Sequence, residues 1–289
     1  MRKEELLKIA KPVLFNTEMV RAILNGTKYC TRRIIKPQPT YSEKDGFSWK
    51  GRAYGTDLPP TIQGASYNFC SAAQYKVGDV LYVRESWCEL SSGYEYKADG
   101  ETIDHLGNVM KWHPSLHMPK EAARIFLKVT GVRVERLQDI TEEQAVKEGC
   151  KAGSFEFHGA VWGQEDYDEW TAIDAFKDVW NSTIDRKELD QYGWDANPWV
   201  WVYEFEVVKP QIFSEGQLKL AKQLAYKNWE NQEETEIGFE FKGAWVTNPF
   251  VEVSGRFEFK NFDGMCQYYG TKNVVSLLKK LLKRNRENE

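Results

Sequence analysis

Asn25-Gly26-Thr27-Lys28-Tyr29-Cys30-Thr31-Arg32-Arg33 sets a lysine, a hydroxyl and two guanidinium groups directly behind a glycine. Upstream, Met19, Ile23 and Leu24 form the apolar side of a short amphipathic stretch. Gly26 reaches positive φ without a Cβ clash, so it can end that stretch and swing the following residues out of a helix. From Tyr29 to Ile35 the β-branched and aromatic content favours an extended segment. Alternation along a strand then points Thr31 and Arg33 the same way. Lys28 stands at the mouth of the strand, where turn curvature can bring its long side chain onto that face.

With those residues in place, Gly26-x-Lys28-x-x-Thr31-x-Arg33 resembles the Gly-x-Lys-x-x-(Glu/Thr)-x-Arg signature of ASCH domains, small PUA-like β-barrels implicated in RNA or nucleoside handling. The segment from Lys76 to Glu85 is similar to the Gly-Asp-hydrophobic-hydrophobic-Val strand of that family, and Val129 to Glu135 with the following Leu137 to Gly149 resembles its strand and short helix. Trp199 to Val208 looks like the closing strand. Together with Lys11 to Val20, Trp112 to Pro119 and Tyr192 to Trp199, the text is similar to a larger variant common in phage and prophage genomes and often labelled morphogenetic. The likeness runs from about Lys11 to Val208 and stops there.

The resemblance implies an α+β fold, a PUA-like (ASCH) mixed β-barrel with flanking helices over residues 1–209, carrying a long insertion at about 37–75. Residues 210–289 form a small C-terminal α+β appendage in this reading, with a helix from Ser214 to Trp229, an acidic loop to Glu236, strands over 238–246 and 249–260, and a last helix from Asn273 to Arg286. In that last helix Val274, Leu277, Leu278, Leu281 and Leu282 oppose Lys279, Lys280, Lys283, Arg284 and Arg286. A basic amphipathic helix of this kind docks on nucleic acid or a partner, or packs with a solvated face. The insertion holds Tyr41, Phe47, Trp49, Tyr54, Tyr67 and Phe69, which favours an ordered lid over a structureless loop. Thr141 caps a helix that begins at Glu142 and stops at Gly149, and another helix is expected over 166–184.

Composition narrows the class. No apolar run approaches membrane-spanning length and no signal-peptide core opens the chain, so no membrane partner and a cytoplasmic setting are expected. Five scattered cysteines, with no Cys-x-x-Cys, imply neither a disulfide framework nor a zinc knuckle. A net charge of −4 argues against indiscriminate coating of nucleic acid. Residues 1–36 nevertheless hold nine Lys or Arg against three Glu, whereas Asp139 to Glu206 holds 17 acidic against five basic residues. Such a basic entrance beside an acidic shell favours one small anionic or polar target. His113 and His117 are four apart, but Pro114 breaks the helix that would align them, so no metal or cofactor is expected. A Walker loop, a dinucleotide fingerprint and a Gly-x-Ser-x-Gly elbow are all missing from the sequence.

Chemistry follows from the amine, the alcohol and a carboxyl group. A solvated lysine has a pKa of about 10.4 and serves as a base only when lowered by about three units, worth about 4 kcal/mol. Arg32 or Arg33 beside Lys28 supplies such a push. Neutral Lys28 would then deprotonate the Thr31 hydroxyl for attack on an acyl carbonyl, and Glu148 would protonate the departing amine or orient a water. Small ASCH-like amidohydrolases that deacylate N4-acetylcytidine resemble this assignment: Lys28 and Thr31 fall on their first motif and Glu148 on the glutamate that follows Thr-Glu-x-x-Ala. Lys28, Thr31 and Glu148 are thus the expected catalytic residues, with Gly26, Arg33, Arg84 and Trp87 binding a modified nucleoside or single-stranded RNA. Aromatic faces stack bases at about 1–3 kcal/mol each, and Trp87, Tyr82, Trp112, Trp194 and Trp199 border the expected mouth. The alternatives are a non-catalytic RNA-binding module of phage or prophage origin and a phage assembly factor, with 210–289 meeting a phage or host protein.

Overall fold

The computed structural model describes residues 1–55, 62–90, 93–100, 110–155, 168–211, 213–231, 237–251 and 262–287. Two compact units make up the chain: Leu6–Lys209, and Met1–Glu5 together with Pro210–Glu289. The class is α+β.

In the Leu6–Lys209 unit, five strands form one mixed sheet in the order Lys11–Leu14, Val80–Arg84, Phe126–Arg136, Trp199–Val208, Cys30–Ile34. Lys11–Leu14 runs parallel to Val80–Arg84, and the other neighbours are antiparallel. Here the barrel expectation needs correction. Among the described residues the two outermost strands, Lys11–Leu14 and Cys30–Ile34, do not pair, so the sheet stays open. Both are short, four and five residues, and a side chain spans the interval instead: Arg33 Nη2 donates to the Leu14 carbonyl at 2.8 Å.

Alternation sorts the side chains onto two faces. Leu81, Val83, Leu127, Val129, Val134, Trp201, Tyr203 and Phe205 join Val13, Phe15 and Ile35 in the main core. On the other face, Ile34, Val200 and Val202 pack with Phe176 and Trp180, while Tyr82 and Phe126 pack with Leu6, Met118 and Ala123. The register of Phe126–Arg136 shifts opposite Glu204 and Phe205, which keeps both Val129 and Val132 on the core side across the extra residue Thr130. Gly131 sits at that shift, where an added Cβ would come within 2.8 Å of Glu204 Oε2.

The insertion is ordered where described. Thr40–Ser42, Gly46–Trp49 and Arg52–Tyr54 form a three-stranded sheet, and a helix spans Ile62–Cys70. Phe47 stacks on Phe69 at 4.7 Å, and Phe69 lies 4.7 Å from Trp201. This aromatic wedge covers the core face of the sheet, the face to which Thr31 and Arg33 belong. A helix expected from residue 166 instead runs Ala172–Ser182 behind a Thr171 cap, because Asp168–Trp170 pairs as a strand with Gly153–Phe155; residues 166 and 167 lie outside the described residues.

The second unit holds helices Glu215–Asn231, Phe262–Tyr269 and Thr271–Glu287 around Ala221, Ala225, Met265, Tyr269, Val274 and Leu278. In place of the single strand expected over 238–246, the chain forms a hairpin of Phe239–Phe241 and Ala244–Val246. The extended run is broken by positive φ at Lys242 and Gly243, the geometry of a two-residue hairpin turn. Most of the expected 249–260 strand and of the acidic loop ending at Glu236 lies outside the described residues. Among the described residues no helix is long and apolar enough to cross a membrane.

Candidate functional site

Two turns bring the site together. Asn25 ends the helix Thr17–Leu24, Gly26 takes φ +67°, and the amides of Thr27 and Lys28 both donate to the Ala22 carbonyl. On the other side, Thr141 and Gln144 form a capping box at the start of Glu142–Lys147, Glu148 closes that helix, and Gly149 leaves it at φ +91°. The two turns then meet edge to edge: Lys28 bridges Glu148 in antiparallel fashion, and the Tyr29 amide donates to the Lys147 carbonyl at 2.8 Å.

This backbone seam aligns the charges. Lys28 Nζ donates to Glu148 Oε2 at 2.6 Å and to the Glu148 carbonyl at 2.7 Å, and the two side chains are 0 and 3 % exposed. Arg32 Nη1 reaches the second carboxylate oxygen, Oε1, at 3.1 Å. Arg32 also donates from Nε to Glu135 Oε1 at 2.9 Å and from Nη2 to Gln144 Oε1 at 2.8 Å. Beyond Glu135, Arg133 Nε holds its Oε2 at 2.9 Å and Arg133 Nη1 pairs with Glu204. Six side chains of alternating sign thus run from the half-exposed Glu204 to the sealed Lys28. The cross-strand register explains the reach: Arg32, Val202 and Arg133 lie abreast, with Glu135 two residues along.

Of the expected catalytic residues, Lys28 and Glu148 are in direct contact. Thr31 is buried on the strand that follows Lys28, yet its hydroxyl makes no hydrogen bond to either. It lies opposite Tyr203, whose buried hydroxyl has no hydrogen-bond partner and is pushed up to about 12 by burial. The Gln74 and Tyr75 amides approach that oxygen outside hydrogen-bond geometry; both act on its acceptor side and leave the O–H without a recipient. Arg33 shares this face. Its guanidinium and Lys28 Nζ both stand over the Phe15 ring, at 5.1 and 5.6 Å. Burial lowers the Arg33 pKa, with Glu148, Tyr75 and Tyr203 opposing, and the group stays a cation.

The remaining expected residues do not converge here. Gly26 is exposed and serves the turn, its carbonyl accepting from the Tyr29 hydroxyl. Alternation puts Arg84 with Val80 and Tyr82 on the opposite face from Thr31, and Trp87 packs in that same cluster. Both contact the segment from His113 to Met118: Arg84 Nη2 donates to the Leu116 carbonyl, and Trp87 exchanges backbone hydrogen bonds with His113. Arg84 Nε and Trp87 Nε1 are buried without an acceptor. The strand Val80–Arg84 ends at Arg84, and Trp87 opens the next strand, Trp87–Leu90.

Sequence reasoning missed Glu135, Gln144, Phe15 and Tyr203. Gln144 carried a signal, because it is the third residue of the capping box and faces back toward the helix start. Glu135 and Tyr203 sit in apolar runs whose register against Cys30–Ile34 no local pattern reveals.

Two thiols flank the pair without becoming reactive. Burial, aided by the Glu148 charge, pushes Cys30 up to about 12 and Cys150 up to about 11. Among the described residues no three His, Cys, Asp or Glu side chains are grouped to hold a metal ion. Lys28 Nζ donates to the Glu148 carboxylate and carbonyl rather than meeting Thr31, and the Glu148 carboxylate accepts from two basic side chains. No family model matches the chain, and no curated protein or solved structure shows significant similarity to it.

Proposed function

We propose that the Leu6–Lys209 unit is a PUA-like, ASCH-type module acting on a modified nucleoside, with Lys28, Glu148 and Thr31 as the reaction centre of an amidohydrolase that removes an N4-acyl group from cytidine. One observation carries this reading: an amine and a carboxylate 120 residues apart meet at 2.6 Å, out of solvent, just ahead of the strand that carries the buried Thr31. In the proposed reaction Glu148 takes a proton from water as the water oxygen bonds to the acyl carbon. Lys28 donates a hydrogen bond to the acyl oxygen as charge develops there. The C–N4 bond then breaks, Glu148 returns its proton to N4, and the products are the free acid and cytidine. Thr31 donates its hydroxyl to the substrate, and Arg33 supplies the cationic wall beside Phe15. Lys28 is sealed beside Phe15, so the acyl group reaches it only when that packing opens.

That same closure favours a second reading, a nucleoside- or RNA-binding module without catalysis, in which the pair merely locks the turns. One experiment separates the two. Purified protein is incubated with N4-acetylcytidine and the absorbance of the acylated base is followed. Turnover that Glu148→Gln abolishes supports hydrolysis, whereas no turnover above buffer by folded protein leaves only the binding reading. Calorimetry with cytidine then decides whether Arg33→Ala weakens binding at an unchanged melting temperature.

A further inference from the structure

The helix Thr271–Glu287 buries Val274, Leu277, Leu278, Leu281 and Leu282 against its own unit. Its outer side carries Lys272, Lys279, Lys280, Lys283, Arg284 and Arg286, all exposed, and Glu287 is the single acid in its sequence. At 100° per residue, Lys272, Lys279, Lys283 and Arg286 fall within about 60° of arc, a straight stripe about 21 Å long at 1.5 Å rise. Like charges this close repel one another, and the Lys283–Glu287 ion pair, at 3.7 Å, offsets only part of that repulsion at one end. Packing alone requires only that these positions be polar, not that they share one sign.

A second observation lies at the start of the stripe. Tyr268, 40 % exposed, stands just before the Gly270 turn into the helix, with Phe241 at 5.4 Å and Lys242 Nζ at 5.5 Å from its ring. Lys242 occupies the hairpin turn that presents it there. A part-exposed aromatic ring, packed against Phe241 and Tyr269, flanked by a cation and continued by a row of cations, has the form of a site that meets a base and tracks a phosphate backbone.

We propose that this surface, Lys242–Tyr268 followed by the Lys272, Lys279, Lys283 and Arg286 stripe, binds single-stranded nucleic acid. The site is independent of the Lys28–Glu148 pair and of any reaction there. Its test is fluorescence anisotropy of a labelled 20-nucleotide oligouridylate with the full chain over a salt series. Four phosphate contacts predict a slope of about −3 in log affinity against log salt. Lys279→Gln/Lys283→Gln, both exposed and so neutral for folding, should flatten the slope by about 1.4. Tyr268→Ala should weaken binding about tenfold at each salt concentration with the slope retained. Lys28→Ala should change neither. The proposal is overturned if the oligonucleotide does not bind at low salt, if the double glutamine variant keeps the parent slope and affinity, or if Lys28→Ala abolishes binding that this variant retains.

Discussion

Lys28 has one carboxylate and Glu148 has two cations, so truncating the two partners should not cost the same. At 2.6 Å and an effective dielectric constant of about 20, the Lys28–Glu148 attraction is about 6 kcal/mol before desolvation is subtracted. Breaking a buried pair from one side typically costs about 3–5 kcal/mol, mostly because the surviving charge is stranded. Glu148→Gln removes the one carboxylate that compensates Lys28 and leaves it neutral acceptors alone, so a loss of about 4 kcal/mol is expected. Lys28→Met leaves Glu148 still bound by Arg32 at 3.1 Å, and about 2 kcal/mol is expected. Urea unfolding gives both losses, and hydrogen exchange of the Trp199–Val208 amides assigns them to the unit that holds the pair. Equal losses, or a larger one for Lys28→Met, would refute the assignment of Arg32 as the second support of Glu148. A coupling below about 1 kcal/mol in the double-mutant cycle would class the pair with exposed ones and undo the argument from burial.

Three further outcomes follow from single groups. Tyr203→Phe removes a buried hydroxyl that has no partner, so the urea midpoint should hold or rise, and a loss above about 1.5 kcal/mol would mean the hydroxyl is bonded after all. Gly149→Ala forces a side chain into φ +91° with its Cβ 2.7 Å from that of Ala22, which should cost at least about 2 kcal/mol in the same assay; a neutral result would contradict the turn geometry. Burial raises Cys30 to about 12 from 9.0 and Tyr203 to about 12 from 10.0. Raised folded-state values mean stability is intact below pH 9 and declines as pH climbs toward 12, because the unfolded chain ionises first. The urea midpoint should therefore be lower at about pH 10.5 than at about pH 8, and iodoacetamide at about pH 8.5 should leave Cys30 unmodified in native protein.

Local chemistry was legible where it acts within a few residues. Gly26 takes the positive φ its place after Leu24 demanded, Cys30–Ile34 is extended, and Thr141 caps the helix that delivers Glu148. The contact of Lys28 with Glu148 was reachable only through the family likeness, since nothing within either segment specifies a partner 120 residues away. Arg84 and Trp87 show the limit from the other side. The alternation of Arg84 with Tyr82 was readable, but which face of the sheet meets Thr31 depends on the Leu14–Arg84 and Arg33–Trp201 pairings, which are long-range facts. Lys242-Gly243 lacks the Asn-Gly or Asp-Gly form of a hairpin turn, so two short strands passed for one.

The alternating chain of charges bears on the proposed chemistry as well as on stability. A carboxylate that accepts a proton ceases to compensate its cations, and in a sealed site that loss opposes the reaction. Here the loss is absorbed. With Glu148 protonated, Arg32 keeps its Nε bond to Glu135 and its Nη2 bond to Gln144, and Lys28 keeps the Glu148 carbonyl at 2.7 Å. Glu135 is itself held by Arg133, whose other partner, Glu204, is 52 % exposed, so Arg32 keeps a carboxylate that stays ionised beside it. An isolated Lys–Glu lock would need none of these further links. A second carboxylate on Arg32 is what a proton-accepting Glu148 requires in the proposed reaction, and Glu135→Gln should accordingly slow N4-acetylcytidine turnover while leaving the Lys28–Glu148 contact in place.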